Sequence, residues 1–156
     1  MARVRLRPIL LWVLLCEAVG WVSGIVTQAA IVDWYQYLVK PAWTPPNFAF
    51  PVAWTLLYAL MGIAAGLVSQ RPGSGAAIGL FIVQLGINAL WTPVFFGMRA
   101  PAPGFAVIVL LLIAVFATLI AFARHSRTAG WLMAPYLAWV AYASTLNLGI
   151  WLLNRP

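Results

Sequence analysis

Along the chain, five apolar runs alternate with short stretches that hold every charged residue except Glu17. The runs span about residues 8–31, 51–69, 75–97, 104–123 and 131–153. A bilayer core about 30 Å thick is crossed by roughly 20 apolar helical residues, so each run is long enough to span. Within them the polar and small residues recur with helical spacing. Glu17, Trp21, Gly24 and Gln28 fall on one face of the first run. Trp54, Tyr58, Met61, Gly62 and Ala65 follow one side of the second, and Gln84, Asn88, Trp91 and Phe95 form a stripe on the third. The fifth carries Trp139, Ala143, Leu146 and Asn147. Polar side chains avoid hydrocarbon, so these four stripes turn inward. The fourth run has Thr118 as its only polar side chain and is expected to face lipid most.

Proline punctuates the pattern. Pro51 suits the first turn of the second helix, Pro93 predicts a kink near the end of the third, and Pro135 sits in the opening turns of the fifth. Residues 32–50 hold Lys40-Pro41 and Trp43-Thr44-Pro45-Pro46-Asn47, too polar and too proline-rich for a helix in lipid. A connection of this length is uncommon unless it is functional, which makes it a candidate lid. The expected architecture is an all-α membrane protein: one domain over residues 1–156, a bundle of five transmembrane helices.

Composition agrees: 65% of residues are hydrophobic and 7% charged, more apolar surface than a soluble domain of 156 residues can bury. The net charge of +7 raises the question of nucleic acid, but the basic residues sit at chain ends and between spans. That placement reports topology, and no nucleic-acid partner is expected. Arg3, Arg5, Arg7, Arg71, Arg124 and Arg127 fall on one side, against Lys40, Arg99 and Arg155 on the other. The positive-inside rule then puts the N-terminus in the cytoplasm and the proline loop outside, with a bacterial cell membrane the expected location. The basic start followed by an apolar run is similar to a signal peptide, but Glu17 within the run and the poor cleavage site favour an uncleaved first helix.

Candidate chemistry is sparse. Cys16 is the single cysteine, which excludes an intrachain disulfide and a multi-cysteine metal site. His125 stands alone in a loop, and no nucleophile, base and orienting group can be assembled. Glu17 is the one acidic residue inside a span, read either as a proton or polar site or as a structural carboxyl. Trp12, Trp34, Trp131 and Trp151, near span ends, suit the interfacial belt, whereas Trp54, Trp91 and Trp139 lie on stripes with small or polar residues and suit either ligand contact or packing. Glycine pairs four apart occur at Gly20/Gly24, Gly62/Gly66 and Gly75/Gly79. Such pairs let helices approach closely, and Gly75 and Gly79, with Gly86, are the expected dimer interface.

Lys40-Pro41-Ala42-Trp43-Thr44-Pro45-Pro46, Phe50 to Tyr58 with Met61-Gly62, Asn88-Ala89-Leu90-Trp91 with Phe95-Phe96-Gly97, and Pro135 to Trp139 with Leu146-Asn147 together resemble the TspO/translocator-protein family of tryptophan-rich sensory proteins and peripheral benzodiazepine receptors. The resemblance implies a five-helix homodimer. It would bind protoporphyrin, haem and benzodiazepine-site ligands in a cavity capped by the first loop, with no obligatory cofactor. It also implies that Trp54, Tyr58, Asn88, Trp91, Trp139, Ala143 and Leu146 line that cavity, joined by Tyr35 and Trp43 from the loop. Mammalian relatives carry a cholesterol motif near the end of the fifth helix; here no Lys or Arg follows Tyr142 within reach, so cholesterol binding is not carried over. The expected role is a receptor or sensor for tetrapyrroles or other planar apolar molecules, acting in their transport or regulation. Two alternatives stand beside it: a proton-coupled small-molecule transporter using Glu17, and a porphyrin-degrading enzyme.

Overall fold

The structure, a computed structural model, describes residues 4–155. Arg3, one of the basic residues assigned to the cytoplasmic side, lies outside them. Five helices are each long and apolar enough to cross a membrane: α1 (Leu6–Asp33), α2 (Ala49–Val68), α3 (Gly75–Thr92, continued by Pro93–Gly97), α4 (Pro101–His125) and α5 (Arg127–Leu153). Helices α1 and α4 extend two or three residues beyond their apolar runs at both ends, and α5 begins four residues before its run.

The helix ends follow from local chemistry. Gly73, at φ 72°, takes the left-handed conformation that the turn between α2 and α3 needs. Ser126 caps α5 by accepting a hydrogen bond from the Ala129 amide at 3.3 Å. The expected break at Pro93 is a change of helical pitch: residues 93–97 form a π-helical turn closed by Met98 N–H donating to Pro93 O at 2.8 Å. The wider turn re-aims Phe95 and Phe96 into the bundle, where both are buried.

Packing closes the helices into a ring in the order α1, α2, α5, α4, α3 and back to α1. In the half of the bundle that holds the α2–α3 and α4–α5 turns, the ring is solid. Phe81 stacks on Phe122 at 5.5 Å, and Met61, Val68, Val115, Met133 and Val140 are wholly buried around them. Gly62 and Gly66 of α2 lie directly against the backbone of Val13 and Ile9 of α1, so this glycine pair serves packing within the chain.

The expectation that the fourth span faces lipid most is corrected. Only 6% of the most apolar stretch of α1 is buried, against 33% in α4. Helix α4 is wedged between α3 and α5, and Thr118 meets its hydrogen-bonding need within α4 by donating to Ala114 O at 2.8 Å. Helix α1 touches the bundle on a narrow strip. Two belt assignments also change: Trp12 packs edge-on against Phe81 and Trp34 against Phe95, each at 5.7 Å, so these rings point inward. Trp131 is 69% exposed.

Candidate functional site: a roofed cavity at the loop end of the bundle

Opposite the solid half, the bundle holds a cavity of about 940 Å³, bounded by α1, α2, α3, α5 and the 34–48 loop. Ligand pockets commonly fall at about 300–1,000 Å³. Glu17, Trp21, Gly24 and Gln28, the stripe of α1, all border it. The small residues of this face make room: a Cβ on Gly20 would lie 2.5 Å from the Tyr58 ring, so only glycine lets Tyr58 stand there. The bundle-facing sides of α3 and α5 supply Asn88, Trp91, Ala143, Leu146 and Asn147.

The roof is tied down along α5. Asn154, at the end of that helix, accepts from the Val39 amide at 3.0 Å and donates to the Val39 carbonyl at 2.8 Å, as a paired strand would. Tyr142 donates to Trp43 O at 2.6 Å, and Pro41 sits on Gly149, where any side chain would collide with its ring. Lys40 donates to Gln36 O and Leu38 O and lies 4.9 Å over the Tyr35 ring. Burial, and secondarily the Tyr142 phenol, pushes the Tyr35 hydroxyl up to about 12.

Of the nine residues the resemblance put on the lining, seven border the cavity: Tyr35, Trp54, Tyr58, Asn88, Trp91, Ala143 and Leu146. Trp43 and Trp139 are off it, which corrects their expected placement. Trp43 is 55% exposed, turned out of the roof, and contributes its backbone carbonyl to the Tyr142 tie. Trp139 stands behind the wall, at 6.4 Å from Trp54 and 6.1 Å from Phe50, and buttresses both rings. Gly75, Gly79 and Gly86 lie far from the cavity on an open face of α3, where an added Cβ meets nothing within 4 Å.

Two hydrogen-bonded chains stiffen the inner walls. In the first, Tyr58 donates to Asn88 Oδ1 at 2.7 Å, Asn88 Nδ2 donates to the Tyr136 oxygen at 2.6 Å, and Tyr136 donates to Gln84 Oε1 at 3.0 Å. In the second, Trp91 Nε1 donates to Asn147 Oδ1 at 3.1 Å and Asn147 Nδ2 donates to Pro101 O at 2.7 Å. Sequence spacing marked Gln84, Asn88 and Asn147 as inward-facing but missed Tyr136, which is fully buried and joins α5 to α3. A signal was present, since Tyr136 lies seven residues before Ala143 and eleven before Asn147 and so falls on the same face of α5. Phe48 and Asn47 of the loop also reach the cavity and were unmarked.

The family model described as TspO/MBR family matches residues 12–152, a span that includes every residue bordering the cavity. The chain belongs to the TspO/MBR family. It is 42% identical to the tryptophan-rich sensory protein of Cereibacter sphaeroides, over 93% of this chain and 95% of that protein. It is 41% identical to protein CrtK of Rhodobacter capsulatus, covering 89% of this chain and 88% of that one. The human translocator protein shares 39% identity over 76% of this chain and 73% of its own. The integral, multi-pass character follows from the helices themselves.

Proposed function

We propose that this TspO/MBR protein is a membrane receptor or sensor that takes tetrapyrroles such as protoporphyrin or haem, or other planar apolar molecules, into the roofed cavity. One observation carries the reading: a cavity of about 940 Å³ whose wall combines the flat faces of Trp54, Trp91 and Tyr58 with a minority of polar side chains. A broad aromatic plate gains dispersion and stacking from such faces, while a few amides orient its polar edge. The pinned loop supports it too, because a roof already ordered loses little entropy when a ligand enters. The names of the relatives, a sensory protein and a translocator protein, fit a role in sensing or moving such ligands. The protein works in a bacterial cell membrane and pairs with a second copy through the Gly75, Gly79 and Gly86 face of α3.

Glu17 favours a second reading. It is the one carboxylate away from the ends of a spanning helix and it borders the cavity, so ligand movement coupled to a proton has a place to act. Glu17→Gln should abolish proton-driven flux in proteoliposomes while leaving porphyrin binding intact; loss of binding instead makes Glu17 a ligand contact.

The test of the leading reading is a titration of the detergent-solubilised protein with protoporphyrin, followed by quenching of tryptophan fluorescence. Trp54→Ala removes a wall, and Trp139→Ala removes the ring that holds Trp54 and Phe50 in place. Both variants should bind more weakly at unchanged helicity. Titration curves that match the native protein in both variants would refute the pocket.

A further inference from the structure

The two hydrogen-bonded chains share a feature that neither residue type nor cavity shape reveals: both run in one direction. An amide can be turned over, so a chain of amides and phenols could run either way. Here the far end decides. Gln84 lies against the Met61 sulfur, with Nε2 at 4.0 Å, and both residues are wholly buried. A thioether accepts weakly and never donates, so the Gln84 N–H group must face it and the Gln84 oxygen must face Tyr136. Tyr136 therefore donates to Gln84 and can only accept from Asn88; Asn88 then turns its oxygen to Tyr58, which spends its single proton on that bond. Tyr58 and Asn88 both border the cavity, so their bond lies in its wall and offers a ligand oxygen lone pairs without an uncommitted N–H or O–H between these two oxygens.

The second chain has the same sense for a different reason. Pro101 O is a backbone carbonyl and can only accept, so Asn147 aims its nitrogen there and its oxygen toward Trp91. Asn147 and Trp91 also border the cavity, with the indole N–H consumed. The remaining polar groups of the lining lie outside these two chains, among them the hydroxyls of Ser23, Thr27, Thr55 and Thr92, which rotate to suit a partner, the Glu17 carboxyl, and the Gln28 and Asn47 amides, which can donate or accept.

We propose that the inner wall, formed by Tyr58, Asn88, Trp91 and Asn147, is an acceptor surface that selects planar ligands bearing an N–H or O–H donor, with buried Gln84 and Met61 as the positioning residues that set this polarity. The proposal rests on the cavity being the site for planar molecules and specifies which of them it prefers.

A matched pair of neutral tricyclic probes tests it: carbazole, which carries an N–H, and dibenzofuran, which has the same outline and only an ether oxygen. The native protein should bind carbazole more tightly, by about two- to tenfold, the ratio one net hydrogen bond confers. Gln84→Leu removes the anchor without stranding a donor. Tyr136 can then donate to a turned-over Asn88, whose nitrogen faces Tyr58 and releases the phenol proton to the cavity. In that variant the preference should fall to about one or reverse, on the same hydrogen-bond scale. Met61→Leu, a volume-conserving change, removes only the sulfur and should give an intermediate ratio, which keeps the test alive if Gln84→Leu does not fold. A variant with a merely structural defect would weaken both probes alike and leave the ratio unchanged, which overturns the assignment of polarity. Equal affinities in the native protein, alongside intact protoporphyrin binding, would overturn the acceptor surface but not the pocket. Failure of both probes and of protoporphyrin to bind would overturn both.

Discussion

Replacing Gly66 by alanine probes the joint that holds α1, the least buried helix, to the rest of the bundle. A Cβ there would lie 2.5 Å from the Cα of Ile9, 2.9 Å from its Cγ1 and 3.1 Å from its Cβ. Carbon atoms rest about 3.5–4.0 Å apart, so the helices must part by roughly 1 Å or more at this crossing. The first neighbour is backbone, so no side-chain rotation relieves it. Overpacking of this kind costs about 1–3 kcal/mol, and a backbone clash belongs at the upper end. Exchanging a helical glycine for alanine returns at most about 1 kcal/mol of propensity. The net loss is therefore about 1–2 kcal/mol, on the same two scales. Gly24→Ala is the control: it sits on the same joint-forming α1 helix but meets nothing within 4 Å, so only the propensity gain applies. Thermal unfolding in detergent, followed by tryptophan fluorescence, should give a lower Tm for Gly66→Ala and an equal or higher Tm for Gly24→Ala. If the two variants shift together, or if Gly66→Ala is neutral, close backbone approach does not hold α1 in place.

Gly79→Leu projects into open space on α3 and should leave the Tm of the monomer unchanged while shifting a dimer toward monomer in size-exclusion chromatography with light scattering; an unaltered assembly would remove that face from the interface. Asn154→Ala removes both bonds to Val39 and should raise hydrogen exchange at residues 38–44 at least several-fold, since two hydrogen bonds worth about 1 kcal/mol each are lost, without changing exchange in α3. Unchanged loop exchange would mean that Tyr142 and Pro41 hold the roof by themselves.

Hydrophobic periodicity was enough to count the spans, because a bilayer imposes a length on every crossing and penalises each unpaired backbone group within it. It was also enough to find the inward faces. The Glu17, Trp21, Gly24 and Gln28 stripe borders the cavity throughout its length, since helical spacing carries a face intact into three dimensions. Burial of a whole helix is another matter. Helix α4 has the most apolar stretch of the five yet is packed between two neighbours, whereas α1 lies open. In lipid, apolarity distinguishes neither buried from exposed surface, and small residues at the contact decide instead.

The number of crossings, the polar faces, the stiff roof and the family resemblance were all legible from residue order alone. That the interior is solid on one side and hollow on the other, that Trp139 supports the wall without forming it, and that Met61 and Pro101 O set the direction of the polar chains emerged only from the folded chain. Those outcomes depend on which atoms meet across helices far apart in the chain, and a hydrogen bond takes its direction from the partner it finds.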